Sequence, residues 1–164
     1  TVNEQLNLIL KDWGRCDVLV NNAGIFIPGT LDATLDHYQK LFDVNFKAQL
    51  ALIKTVIPYM QNQGSGYVFN IASLAGKIGY AEIGAYTSSK FALVGLNESL
   101  HAEYSSQGIK FTSICPHYVA TDMASGSSLS ENEMIQTNDI SNIIKSLLSL
   151  SPHAFVKEII INRE

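Results

Sequence analysis

Residues Cys16–Gly24 read CDVLVNNAG, a short apolar run from Val18 to Val20 that stops on two asparagines, an alanine and a glycine. An unbroken apolar run of this length, closed by turn-forming residues, predicts a strand buried on both faces. The pattern recurs down the chain. YVFNIAS (Tyr67–Ser73) and KFTSICP (Lys110–Pro116) read as further buried strands, the latter stopped by Pro116, and VKEIIIN (Val156–Asn162) as a last one.

Helical stretches separate them. NEQLNLILKDWG precedes the first strand. Between Leu35 and Gln63, the residues Leu41, Phe42, Val44, Ala48, Leu52 and Val56 fall near helical spacing, and Pro58 is expected to kink or shorten that helix. A second helix is predicted from Ala85 to Gln107, with Gly108 where a C-terminal glycine belongs, and a third from Asp139 to Leu150. The polar stretch ASGSSLSENE (Ala124–Glu133) reads as a mobile loop. Strands alternating with helices, with little charge inside the strands, give an α/β fold built on a doubly wound parallel sheet. Residues 1–164 are read as a single domain.

Composition narrows the function. The 164 residues are 46% hydrophobic and 16% charged, which suits a domain with a buried core, and the formal charge of −4 comes without a basic run. Nucleic acid and anionic membranes are therefore not expected as partners. No apolar run reaches the roughly 18–20 residues needed to span a bilayer, so a soluble protein of the cytoplasm is expected. Cys16 and Cys115 read as separate buried thiols. The four histidines show no ligand spacing, so no metal site is expected.

In a doubly wound sheet ligands bind at the carboxyl ends of the strands. There the sequence places Asn22, Ala23 and Gly24, then Ser73, then Pro116 to Thr121, while Tyr86 and Lys90 open the helix after the second strand. Four residues apart, Tyr86 and Lys90 share a helix face. An ammonium beside a phenol favours the phenolate, which would bring a group that ordinarily titrates near pH ~10 into use as an acid/base. Ser73 has a rival reading as a hydrolase nucleophile, but IASLA lacks the G-x-S-x-G turn, and no histidine follows with an evident acid partner.

Taken together, DVLVNNAG, VNFKAQL, FNIASLAG, YTSSKFALVGLNESLHAEY and SICPHYVATDM resemble the short-chain dehydrogenase/reductase family over the whole chain. The resemblance implies the C-terminal part of a Rossmann-like fold and an NAD- or NADP-dependent oxidoreductase interconverting a small-molecule carbonyl and a secondary alcohol. It assigns Asn45, Ser73, Tyr86 and Lys90 to a catalytic tetrad. It sets Asn22, Ala23 and Gly24, with Tyr86 and Lys90, beside the cofactor, and Pro116, Val119 and Thr121 around its nicotinamide. It also implies a homodimer or homotetramer formed through the two long helices. The chain departs from the family at His117, where glycine is usual, and in lacking a Gly-rich turn before NNAG. The second departure implies about 70–80 further residues ahead of Thr1. The alternative reading is a non-catalytic remnant that acts by association with partner chains.

Overall fold

The computed structural model describes residues 2–163. In chain order it contains α1 (Val2–Trp13), β1 (Val18–Asn21), α2 (Leu35–Phe42), a π-helical turn (Asp43–Ala48), α3 (Gln49–Gln63), β2 (Gly66–Ile71), α4 (Gly84–Tyr104), β3 (Ile109–Pro116), α5 (Thr137–Leu148) and β4 (Glu158–Ile161). The strands form one parallel sheet in the order β1-β2-β3-β4, with Val20 opposite Phe69, Ile71 opposite Ile114 and Pro116 opposite Ile161.

Alternation along the strands sends side chains to two helical layers. Val68, Ile109 and Phe111 pack with Leu10 of α1 and with Ile53, Val56, Ile57 and Met60 of α3, and Leu100 and Tyr104 of α4 join that layer. Tyr67, Phe69, Ile71 and Ile114 face the other way, onto Ile140, Ile143, Ile144 and Leu147 of α5. The expected α/β parallel architecture is therefore the observed one.

Two expectations need correction. The strand at Val18–Val20 is not buried on both faces. It lies at the edge of the sheet, and Val18 and Val20, which share one face, are 38% and 42% exposed because the described residues leave that face uncovered. The helix expected over 35–63 is interrupted at Asp43–Ala48 rather than at Pro58. Both Pro58 and Lys54, whose carbonyl the missing N–H leaves unpaired, are exposed, so α3 runs through the proline to Gln63. The polar stretch after β3 is flanked by backbone hydrogen bonds. Ala120 donates to the Ile135 carbonyl at 2.9 Å and Ile135 to the Tyr118 carbonyl at 3.0 Å, and a capping box at Ser130 and Glu133 opens a short turn.

A row of buried amides crosses the sheet beneath the loops. Asn21 Nδ2 donates to Asn70 Oδ1 at 2.8 Å, and Asn70 Nδ2 to Asn97 Oδ1 at 2.8 Å. Asn97 Nδ2 then donates to the Phe111 carbonyl at 3.3 Å. This row ties β1, β2, α4 and β3 together. Each buried polar atom left without a partner costs about 1–3 kcal/mol. Asn70→Leu strands both the Asn21 donor and the Asn97 acceptor, so a loss of about 2–4 kcal/mol is expected in urea denaturation, with the far-UV spectrum unchanged.

Candidate active site

The carboxyl ends of β1 and β2 and the start of α4 converge on one polar cluster. Its least expected feature is the π-helical turn, which carries Asn45 inward and fully buries it. Asn45 Oδ1 accepts the Ile25 N–H at 2.8 Å, and its Nδ2 donates to the Ile25 carbonyl at 3.0 Å and to Ser89 Oγ at 3.1 Å. Ser89 Oγ donates in turn to the Tyr86 carbonyl at 2.7 Å. One amide thus fastens the loop after β1 to the first turns of α4. Four residues on, Gln49 Nε2 donates to the Ala23 carbonyl at 2.9 Å and secures the same loop a second time.

Ser73 caps a single 3-10 turn (Leu74–Gly76) after β2, its Oγ accepting the Ala75 N–H at 3.1 Å. That contact uses the oxygen as acceptor and leaves the hydroxyl proton free to donate. Gly76 permits the position. A Cβ there would lie 2.9 Å from the Lys90 carbonyl oxygen, so only glycine lets the turn press so closely on α4.

Tyr86 and Lys90 share the inner face of α4, as their spacing predicts. Tyr86 is 8% exposed, lies near the Ser73 side chain, and packs edge-to-face with Phe26 at 5.1 Å between ring centres. Lys90 is 3% exposed. Its Nζ donates to the Ile71 carbonyl at 3.0 Å and lies 5.8 Å from the centre of the Tyr86 ring. No carboxylate pairs with it among the described residues. Gly24 completes the cluster, since a Cβ there would fill the space 3.4 Å from Asn45 Oδ1 and 3.5 Å from Lys90 Nζ.

Burial rather than charge pairing sets the titrations. It pushes the Tyr86 phenol above its ordinary value, with the nearby Ser73 hydroxyl offsetting part of the rise. Burial also brings Lys90 down to about 8. The expectation that Lys90 lowers the tyrosine is therefore not met in this structure: the ammonium is turned to the Ile71 carbonyl, and desolvation outweighs its pull on the phenol. Cys115, beside the Ser73 backbone, is pushed up to about 11 by burial and stays a neutral thiol.

The other sequence-predicted residues sit at the rim. Asn22 and Ala23 are exposed on the turn after β1. Pro116 ends β3 and pairs with Ile161, Val119 bridges to Ile135, and the Thr121 hydroxyl donates to the Val119 carbonyl at 3.3 Å. The structure thus brings Asn45, Gly24, Ser73, Tyr86 and Lys90 together and leaves Pro116 buried at the end of β3, with Val119 and Thr121 on the adjoining loop. Sequence reading passed over Ser89 and Gln49. Polar residues three after Tyr86 and four after Asn45, on otherwise apolar inner faces, were the available signal.

The sequence matches the short chain dehydrogenase family over residues 1–132. The chain belongs to that family. Among solved structures, this short chain dehydrogenase superposes on a betaketoacyl-[ACP] reductase (FabG) from Bacteroides thetaiotaomicron with a TM-score of 0.83 and 39% identity, covering 99% of this chain and 68% of that one. It superposes on ElxO, solved with NADP bound, with a TM-score of 0.86 and 28% identity, covering 98% and 71%. An uncharacterized oxidoreductase of Staphylococcus epidermidis is 28% identical over 161 residues, 98% of this chain and 70% of the relative. The protein is a short chain dehydrogenase that uses NAD or NADP.

A buried lysine whose native pKa is depressed makes the unfolded chain bind more protons at alkaline pH, so stability rises with pH between the two values. For Lys90 that window runs from about 8 to its ordinary 10.5. Between pH 7 and 10 the parent is expected to gain about 2 kcal/mol relative to Lys90→Met in urea denaturation. Parallel pH dependences would contradict the burial of an unpaired ammonium.

Proposed function

We propose that this short chain dehydrogenase interconverts a small-molecule carbonyl and a secondary alcohol, with Tyr86 as the acid/base. One observation carries the reading. A buried ammonium without a carboxylate partner stands beside a buried phenol near the Ser73 hydroxyl.

The residues present suit the nicotinamide-ribose side of a dinucleotide. Gly24 puts no side chain between Asn45 Oδ1 and Lys90 Nζ, and Lys90 spends only one of its donors on Ile71, leaving others for sugar hydroxyls. Asn22, Ala23 and Gly24 would line that cofactor on one side, and Pro116, Val119 and Thr121 its nicotinamide on the other. When bound, the nicotinamide supplies or takes up the hydride.

The chain's own groups handle the proton. In the reductive direction Ser73 Oγ donates to the substrate oxygen and fixes its place. Tyr86, kept protonated at neutral pH by its raised pKa, gives its proton to the oxygen as negative charge develops there. The phenolate that forms is stabilised by the Lys90 ammonium, which is charged below about pH 8. Asn45 acts at one remove, holding Ile25 and Ser89 so that the Gly24 cradle and the first turns of α4 keep their distance.

Location and assembly belong to the same proposal: a cytoplasmic protein that pairs about a two-fold axis through α3 and α4. Phe91 is 44% exposed on α4, and an apolar groove between the two helices is lined by Leu50, Ile57, Pro58 and Leu100. These are the apolar residues that such pairing would cover.

Replacing Tyr86 by Phe in the full-length protein is expected to lower kcat/KM by about 10²–10⁴-fold, with coenzyme affinity nearly unchanged in a fluorescence titration. In the parent, reduction should fall and alcohol oxidation rise as pH climbs toward the tyrosine pKa. Activity of Tyr86→Phe within about tenfold of the parent would overturn the assignment.

A further inference from the structure

Two properties of the loops that follow β1, β2 and β3 go beyond the proposed reaction and bear on what it acts on. The first is a set of exposed rings and apolar side chains. Phe26, in edge contact with Tyr86, is 41% exposed. Tyr80, in the loop between Ser73 and Tyr86, lies nearly parallel to His117 at 6.4 Å and 23°, and Tyr118 meets the His117 ring edge-on at 4.8 Å. Tyr80 and Tyr118 are 38% and 43% exposed, and Ile78 and Met123 of the same loops 52% and 46%. Burial and the charge of Arg163 hold His117 below its ordinary pKa, so at neutral pH the ring is an uncharged member of this wall.

The second is charge. The loop segments 22–34, 72–89 and 116–136 carry five carboxylates, on Asp32, Glu82, Asp122, Glu131 and Glu133, against a single ammonium, Lys77. Lys77 is itself occupied, 2.9 Å from Glu158. Arg163 bears on this region from the end of the chain, and its charge acts on Glu133 as well as on His117. An anionic substrate would approach a surface that repels it.

We propose that this short chain dehydrogenase selects neutral ketones or secondary alcohols bearing an aromatic or flat ring, and that Tyr80 and His117 are the specificity-determining pair that stacks the ring. The inference rests on the carbonyl-reducing reading of the site. Aromatic stacking in a half-desolvated wall favours a planar ring over a saturated one of equal size. A carboxylate or phosphate on the substrate meets five carboxylates on these loops, with Lys77 held by Glu158 and Lys90 buried against the Ile71 carbonyl.

The test compares three ketones with full-length protein and NADH or NADPH: butyrophenone, its cyclohexyl counterpart, and 3-benzoylpropionate, in which a carboxylate replaces the terminal methyl. Butyrophenone is expected to exceed the cyclohexyl ketone in kcat/KM by about 2–10-fold, the range that stacking supplies. It should exceed the keto acid by about tenfold or more, with that gap narrowing as salt is added. Tyr80→Ala and His117→Ala should each raise KM for butyrophenone about fivefold, with the change in KM rather than kcat, and erase the preference over the cyclohexyl ketone. His117→Phe, which keeps a ring, should restore it. Equal or better turnover of the keto acid overturns the inference while upholding carbonyl reduction. So does failure to turn over either aryl ketone while other carbonyls are reduced. A lack of turnover with every carbonyl falls on the reaction itself.

Discussion

The Asn45 side chain holds the site together. A regular helix over 35–63 would present a side chain at one height on the surface of α2 and α3. The π-helical turn gives Asn45 its inward position, where its amide meets both polar groups of the Ile25 peptide and the Ser89 hydroxyl. Single π-turns within α-helices recur at functional sites because the extra residue re-aims a side chain at the cost of one regular bond. Here the re-aimed amide joins the loop after β1 to α4. The Gly24 cradle and the Tyr86–Lys90 face both depend on that join.

Around this anchor the electrostatics are governed by desolvation. Lys90 is buried with a carbonyl and no carboxylate, and Tyr86 is buried with a hydroxyl and an aromatic edge. Burial keeps the phenol protonated and brings the lysine down to about 8, where it still carries its charge at neutral pH. An ammonium kept in so poor a solvent gains most when negative charge arises beside it, as it would on a phenoxide or a substrate oxygen.

Much of the fold was legible because its signals are local. Apolar runs such as VLV and YVFNI, ended by turn residues, mark the strands, and the four-residue spacing of Tyr86 and Lys90 marks their common face. What was not legible depends on geometry between elements. Asn45 is an awkward residue inside a helix, but nothing in DVNFKA specifies a π-turn, so Pro58, with its well-known local effect, drew the expected break instead. The row Asn21, Asn70, Asn97 consists of one polar residue in each of three apolar segments, and only the strand register brings them together. The tyrosine pKa was misread for a similar reason. Spacing puts the ammonium near the ring, but the Ile71 carbonyl decides where it points.

Native-state hydrogen exchange reads the Asn45 join directly. The Ile25 amide, 2.8 Å from Asn45 Oδ1 in a loop, is expected to exchange as slowly as the amides of β2. In Asn45→Ala it should speed up by about tenfold or more, together with its neighbours in the loop after β1, while the β2 and β3 amides keep their protection. A fast Ile25 amide in the parent, or one unchanged by the substitution, would contradict the claim that this side chain holds the site in place.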